Sequence, residues 1–104
     1  MFQSTGSIKR VLWWLVAGSR GGRTRGRIII ALRGTPQNAN QLADALGMDY
    51  KTIRHHLEIL GKSSIIVSVG NGYGRVYFLS NEVEENYAFF EEIWGKIGNR
   101  VKNR

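Results

Sequence analysis

The side chains best able to do chemistry are crowded into six positions. Tyr50, Lys51, Thr52, Arg54 and His55 follow one another with only Ile53 apolar among them. They offer phenol, ammonium, hydroxyl, guanidinium and imidazole groups, a set for donating hydrogen bonds and carrying positive charge. A guanidinium presents two parallel donors that match a guanine edge or a phosphate. An ammonium meets phosphate as a point charge. Nothing here resembles a nucleophile with its base. The chain has no cysteine and no Ser/His/Asp order, and Glu82, Glu84, Glu85, Glu91 and Glu92 read as the wet face of a helix. No catalytic residue and no cofactor are expected. His55 and His56 point about 100° apart on a helix, so they cannot easily share one ion. No metal site is expected either.

Two helices must position this cluster. Ile53, Leu57 and Leu60 recur at four and three, one apolar stripe of a helix over 49–60. Asp49 is its N-cap, since a carboxylate can accept from the free amides of the first turn. Before it, Leu42, Ala43, Ala45 and Leu46 form the apolar face of a shorter helix, with Asn40 as its candidate N-cap. Gly47 stands where a helix end favours a left-handed backbone. Two short helices with a tight turn make a helix-turn-helix, whose second helix can enter the major groove of DNA. On that helix Arg54 faces a base edge or a phosphate and Lys51 a phosphate. Tyr50 meets the duplex or caps the core. His55 is the better DNA ligand, and His56 closes the helix-turn-helix from behind.

Charge supports this placement. The 104 residues carry a net +7. Residues 1–64 hold ten Lys or Arg against three acids, and residues 65–104 hold five against five, so the whole excess lies on the half with the helix-turn-helix. Such a basic field attracts polyanions. At 42% apolar residues the chain can fold, but one domain this small gains from association. The lack of cysteine fits a cytoplasmic protein.

The remaining segments read as supports. Residues 1–7 are polar and expected to fray. Ile8 to Ala17 is too short to span a bilayer, which takes about 20 apolar residues. It reads as a packed helix rather than a signal peptide. Trp13 and Trp14 cannot share one helical face, so at least one is expected to meet a partner chain. Arg20, Arg23, Arg25 and Arg27 cluster at the entrance of a helix over 24–33, where phosphate contacts are expected at Arg23 and Arg25. That helix would bury Ile28, Ile29, Ile30 and Leu32. Residues 37–39 read as a short edge strand. Residues 65–69 and 75–79 are β-branched or aromatic and flank Gly70-Asn71-Gly72-Tyr73-Gly74, a hairpin. Asn81 and Glu84 form a capping box. Then Val83, Tyr87, Phe90, Trp94, Ile97 and Val101 step as a coiled-coil seam, which packs on its own core or on a second chain. Residues 99–104 form a basic, mobile tail.

Helix, short strand, two helices, hairpin, helix is the order of a winged helix-turn-helix. The stretch Asn38-Ala39-Asn40-Gln41-Leu42-Ala43, followed by Asp49-Tyr50-Lys51-Thr52-Ile53-Arg54-His55-His56-Leu57, resembles archaeal ArsR-like transcriptional regulators. The hairpin and the Gly18-Ser19-Arg20-Gly21-Gly22 lead-in fit the same group. The resemblance covers roughly residues 18–80. It implies that Tyr50, Lys51, Thr52, Arg54 and His55 face bases and phosphates, and that Asn71 and Arg75 on the wing reach the backbone or minor groove. Metal-sensing members of that family use cysteine thiolates or paired acids and histidines. This chain has no cysteine, so metal sensing is not implied.

The expected fold is therefore α+β and mostly α, a winged helix-turn-helix with a β-hairpin wing and a long C-terminal dimerisation helix. Three segments follow: 1–17 as an apolar N-terminal helix, 18–80 as the winged domain, and 81–104 as the dimerisation helix and tail. Trp13, Trp14, Tyr87, Phe90, Trp94 and Ile97 are the expected homodimer contacts. Double-stranded DNA is the expected partner, with no membrane and no metal. The competing reading is a winged-helix protein-interaction module inside a larger assembly.

Overall fold

The computed structural model describes the backbone of residues 5–102 and the side chains of residues 8–98. The frayed start expected at 1–7 and the mobile tail expected at 99–104 fall partly outside that range, and where the backbone is described both are corrected: residues 5–7 open a helix and residues 99–102 close one. Helix α1 (Thr5–Trp13) runs into a wider π-helical turn, Trp14–Gly18. Helix α2 is Gly22–Gly34, followed by strand β1 (Gln37–Asn38) and helix α3 (Ala39–Leu46). Helix α4 is Tyr50–Lys62, strands β2 and β3 are Ile66–Val69 and Val76–Leu79, and helices α5 and α6 are Asn81–Glu85 and Tyr87–Lys102. Among the described residues no helix is long and apolar enough to cross a membrane.

One core draws on every α-helix and on strands β2 and β3. Ile28, Ile29 and Leu32 of α2, Leu42 of α3, and Ile53, Leu57 and Leu60 of α4 are buried together. Ile8, Leu12, Leu15 and Val16 join the same cluster, so the N-terminal segment packs on its own chain. Trp13 and Trp14 stay outside, 51% and 57% exposed. Ile30 is 40% exposed and not a core residue as expected. Burial of its neighbours Ile28 and Ile29 turns it outward, because consecutive helical residues diverge by about 100°.

The sheet has the order β1-β3-β2 and is antiparallel throughout. Val67 pairs with Phe78 and Ser68 with Tyr77 in the hairpin, while Gln37 pairs with Tyr77 at the β1 edge. Hairpin and short edge strand thus form at the expected places.

Two caps sit elsewhere than the sequence suggests. Asn38, not Asn40, begins α3: its Oδ1 accepts from the Gln41 amide at 2.8 Å while Gln41 Oε1 accepts from the Asn38 amide at 2.8 Å. That reciprocal pair satisfies two amides, which Asn40 with Ala43 three residues on could not. Likewise Ser80 caps α5 through the Val83 amide, displacing Asn81.

The C-terminal seam is also interrupted. Asn86 leaves the helical region, at φ −114° and ψ 21°, and its Nδ2 donates to the Glu82 carbonyl at 2.8 Å. The expected single helix is therefore a short α5 followed by α6. Phe90 and Ile97, expected at a dimer contact, are 0% and 8% exposed within the single chain. They line the protomer core with Ile93, because the break lets α6 lay that stripe inward. Trp94 stacks on Phe90, with ring centroids 5.9 Å apart, and also lies over Gly26, where an added Cβ would come within 2.2 Å of its ring. Tyr87 is half-buried beneath the Arg33 guanidinium at 3.9 Å.

Candidate nucleic-acid interface

Helix α4 has two unlike faces. Ile53, His56, Leu57 and Leu60 are buried. Lys51, Arg54 and His55 are exposed, Tyr50 and Thr52 half-buried. Gly47 ends α3 at φ 64°, in the left-handed region that glycine takes without strain, and so makes the tight turn into α4. Asp49 then caps α4, accepting from the Thr52 amide at 2.9 Å and the Thr52 hydroxyl at 2.7 Å. Those two bonds hold the Asp49 carboxyl below the usual carboxylate range. Thr52 has thus committed its proton to the cap, leaving an acceptor lone pair for any ligand.

The hairpin brings a second set of groups to this face. Arg54, Glu58 and Gly61 of α4 and Val67, Ser68 and Arg75 of the hairpin border one open cleft of about 450 Å³. Arg75 is half-buried there, while Asn71 stands exposed at the tip. Arg54 Nη1 lies 3.5 Å from the Tyr50 hydroxyl, a long contact along the exposed face. The structure also exposes a residue not singled out above: Tyr73, at the wing tip, 74% exposed. A lone aromatic ring among glycines was its signal in the sequence.

Arg23 and Arg25 part company. Arg23 is exposed at the start of α2, beside a hollow bordered by Val16, Ala17, Thr24 and Ile97. Arg25 is 3% exposed, which corrects its expected place at a phosphate. Its Nε donates to the Leu15 carbonyl at 2.8 Å and its Nη2 to the Arg20 carbonyl and the Ser19 hydroxyl. Leu15 lies in the π turn and Arg20 two residues beyond it, and a flat five-donor group can gather both carbonyls. Nη1 sits 3.2 Å from His56 Nδ1. Arginine has no acceptor, so Nδ1 must accept and His56 carries its proton on Nε2. Burial, then the charges of Arg25 and His55, hold His56 below its ordinary value. His56 thus closes the helix-turn-helix from behind, as its place in the sequence suggests. Among the described residues no group of three or more His, Cys, Asp or Glu side chains could hold a metal ion.

A three-helix core with a capped, basic-faced helix beside a β-hairpin defines a winged helix-turn-helix fold. Residues 22–68, from the start of α2 into β2, match the family model described as "Bacterial regulatory protein, arsR family". The chain is similar in fold to the homodimeric winged helix-turn-helix DNA-binding domain of a possible ArsR-family transcriptional regulator from Mycobacterium bovis. That likeness covers 99% of this chain and 94% of the other at 14% identity, with a TM-score of 0.64. A probable transcriptional regulator from Pseudomonas aeruginosa is 25% identical over 86% of this chain and 73% of its own, with a TM-score of 0.59. The PcaV transcriptional regulator from Streptomyces coelicolor has a TM-score of 0.63 at 16% identity, covering 91% and 71% of the two chains. No curated protein matches the chain.

Proposed function

We propose that this chain is a DNA-binding transcriptional regulator of the ArsR type that acts as a homodimer on duplex DNA. The observation that carries the reading is the split of α4. Its apolar side is sealed in the core while Lys51, Arg54 and His55 stand free beside a hairpin bearing Asn71 and Arg75. The arsR-family match over this region supports it, and the known regulators of similar fold supply no enzyme. Arg54 reads a base edge in the major groove, with Tyr50 and His55 beside it. Lys51 and Arg75 hold phosphates, Asn71 reaches the backbone or minor groove, and Arg23 adds charge at the start of α2. Thr52 serves mainly as the cap partner of Asp49. The reading puts the protein in the cytoplasm with its DNA. An archaeal-type subgroup rests on the residues at 38–57 alone.

Dimerisation follows from different residues than Phe90 and Ile97. Trp13 and Trp14 are the large apolar side chains left outside on the N-terminal segment. With Tyr87 and Trp94 half-covered, these are the residues through which a second copy would set half-site spacing. The same exposed tryptophans favour the interaction-module reading. Titration of duplex DNA across salt separates the two, because phosphate contacts make affinity fall steeply with salt.

Competition binding at fixed salt tests the residue roles. Arg54→Ala should cost about 1–3 kcal/mol on selected sites and less on random duplex. Arg75→Ala should weaken both alike. Equal losses for Arg54→Ala would remove its base-reading role.

A further inference from the structure

The wing tip holds a ring that the reading above leaves without a task. β2 and β3 pair as far as Val69 and Val76, so residues 70–75 are held by their own turn, closed by the Arg75 amide on the Gly72 carbonyl at 3.2 Å. Gly70 and Gly72 lie at φ 93° and 57°, which bends the tip tightly around Tyr73. A tyrosine 74% exposed should swing freely in solvent. This one does not stand alone. Its ring centroid is 5.9 Å from that of Tyr50, tilted by 44°, within the range where aromatic pairs attract. Tyr50 is the first residue of α4 and lies one turn before Arg54, whose guanidinium approaches the Tyr50 hydroxyl. A ring at the end of the wing thus rests on the turn of α4 that would meet bases first.

We propose that Tyr73 is a positioning residue for base reading: by packing on Tyr50 it fixes the angle between the wing and the first turn of α4. This inference rests on the DNA-binding function proposed above. The side chain acts through Tyr50, so its loss blurs the bases that Tyr50 and Arg54 read. The pull of the basic face on phosphate is left intact.

The test is a double-mutant cycle on the full chain with Tyr50→Ala, Tyr73→Ala and the pair, together with Tyr73→Phe. The duplexes are one selected by the unaltered chain from a random pool and the random pool itself. Tyr73→Ala should lose about three- to tenfold on the selected duplex and stay within about twofold on the pool. The paired variant should lose no more than Tyr50→Ala alone, because both deletions remove one contact. Tyr73→Phe keeps the ring and should bind as the unaltered chain does. Losses that multiply in the paired variant overturn the proposal, as does an equal fall on both duplexes. Those results leave DNA binding itself standing. A chain that binds no duplex at any salt overturns both the proposal and the function. A reading without DNA decides the geometry: Tyr73→Ala should move the backbone amide resonances of Tyr50 to Arg54, whereas Val69→Ala, 64% exposed on the same hairpin, should not. Unmoved Tyr50 and Lys51 signals would also sink the idea.

Discussion

Two pairs of like residues, close in sequence, have opposite fates. Arg25 and His56 lie behind α4, buried and bonded to each other. Arg23 and His55 are exposed. Residue type does not separate the members of a pair. Helical phase does, since a step of one residue turns about 100° and a step of two about 200°. The front of α4 leaves Lys51, Arg54 and His55 exposed. Behind it, Arg25 of α2 spends its donors on the Leu15 and Arg20 carbonyls and on His56 Nδ1, tying the segment with Trp13 and Trp14 to the underside of α4. Positive charge in this chain is therefore of two kinds, an exposed kind and a buried, structural kind.

The largest way to break that contrast is to remove the structural arginine. Arg25→Met fills similar volume but leaves the carbonyls of Leu15 and Arg20 and the Nδ1 of His56 without their donor. Each buried acceptor left unpaired costs about 1–3 kcal/mol, offset in part because the Arg20 carbonyl is only part-buried and a charged group no longer has to be buried. A loss of roughly 2–4 kcal/mol in unfolding free energy is expected by chemical denaturation. Arg23→Met should change stability by no more than about 0.5 kcal/mol, as surface changes usually do. Equal losses for the two variants would show that the buried network holds nothing in place.

What the sequence reveals follows the same division. The phase of Ile53, Leu57 and Leu60 gave the sides of α4, and β-branched runs around a glycine-rich tip gave the wing. Local patterns of that kind need only near neighbours. Arg25 is a phosphate ligand by sequence and a buried residue in the fold because two of its acceptors are backbone carbonyls 5 and 10 residues away and another is the distant His56 ring, and no local side-chain pattern encodes those. Phe90 and Ile97, expected at a dimer contact, turn inward for a related reason. Heptad spacing says which residues share a stripe, not whether that stripe faces a partner or the chain's own core. The break at Asn86 settled it for Phe90 and Ile97, by a side-chain bond to the Glu82 carbonyl that competes with helix continuation.

A smaller effect comes from acid. His56 is neutral in the fold and accepts from a cation, so its protonation sets two positive groups against each other. The unfolded chain takes up a proton near the ordinary value of 6.5, while the folded chain resists to lower pH. Between those points the unfolded state holds more protons, so stability falls as pH falls and is fully present above 6.5. His56→Asn keeps a side-chain acceptor without a titrating ring. Its melting temperature should lose less than that of the unaltered chain between pH 7 and pH 5. The same slope in both would place the acid sensitivity elsewhere.

The smallest effect belongs to the front. Lys51 is exposed in the first turn of α4 and has no part in the buried network. If it holds one phosphate, Lys51→Ala should lower affinity for every duplex by a similar factor. It should also reduce the slope of log affinity against log salt by about 1. Stability should stay within about 0.5 kcal/mol of the unaltered chain. His56→Asn, one turn further along α4 but on its back, should leave the salt slope alone at neutral pH. The two variants then separate along different axes, one in salt and one in acid. A salt slope that changed with His56→Asn and not with Lys51→Ala would mean that the assignment of front and back has been reversed.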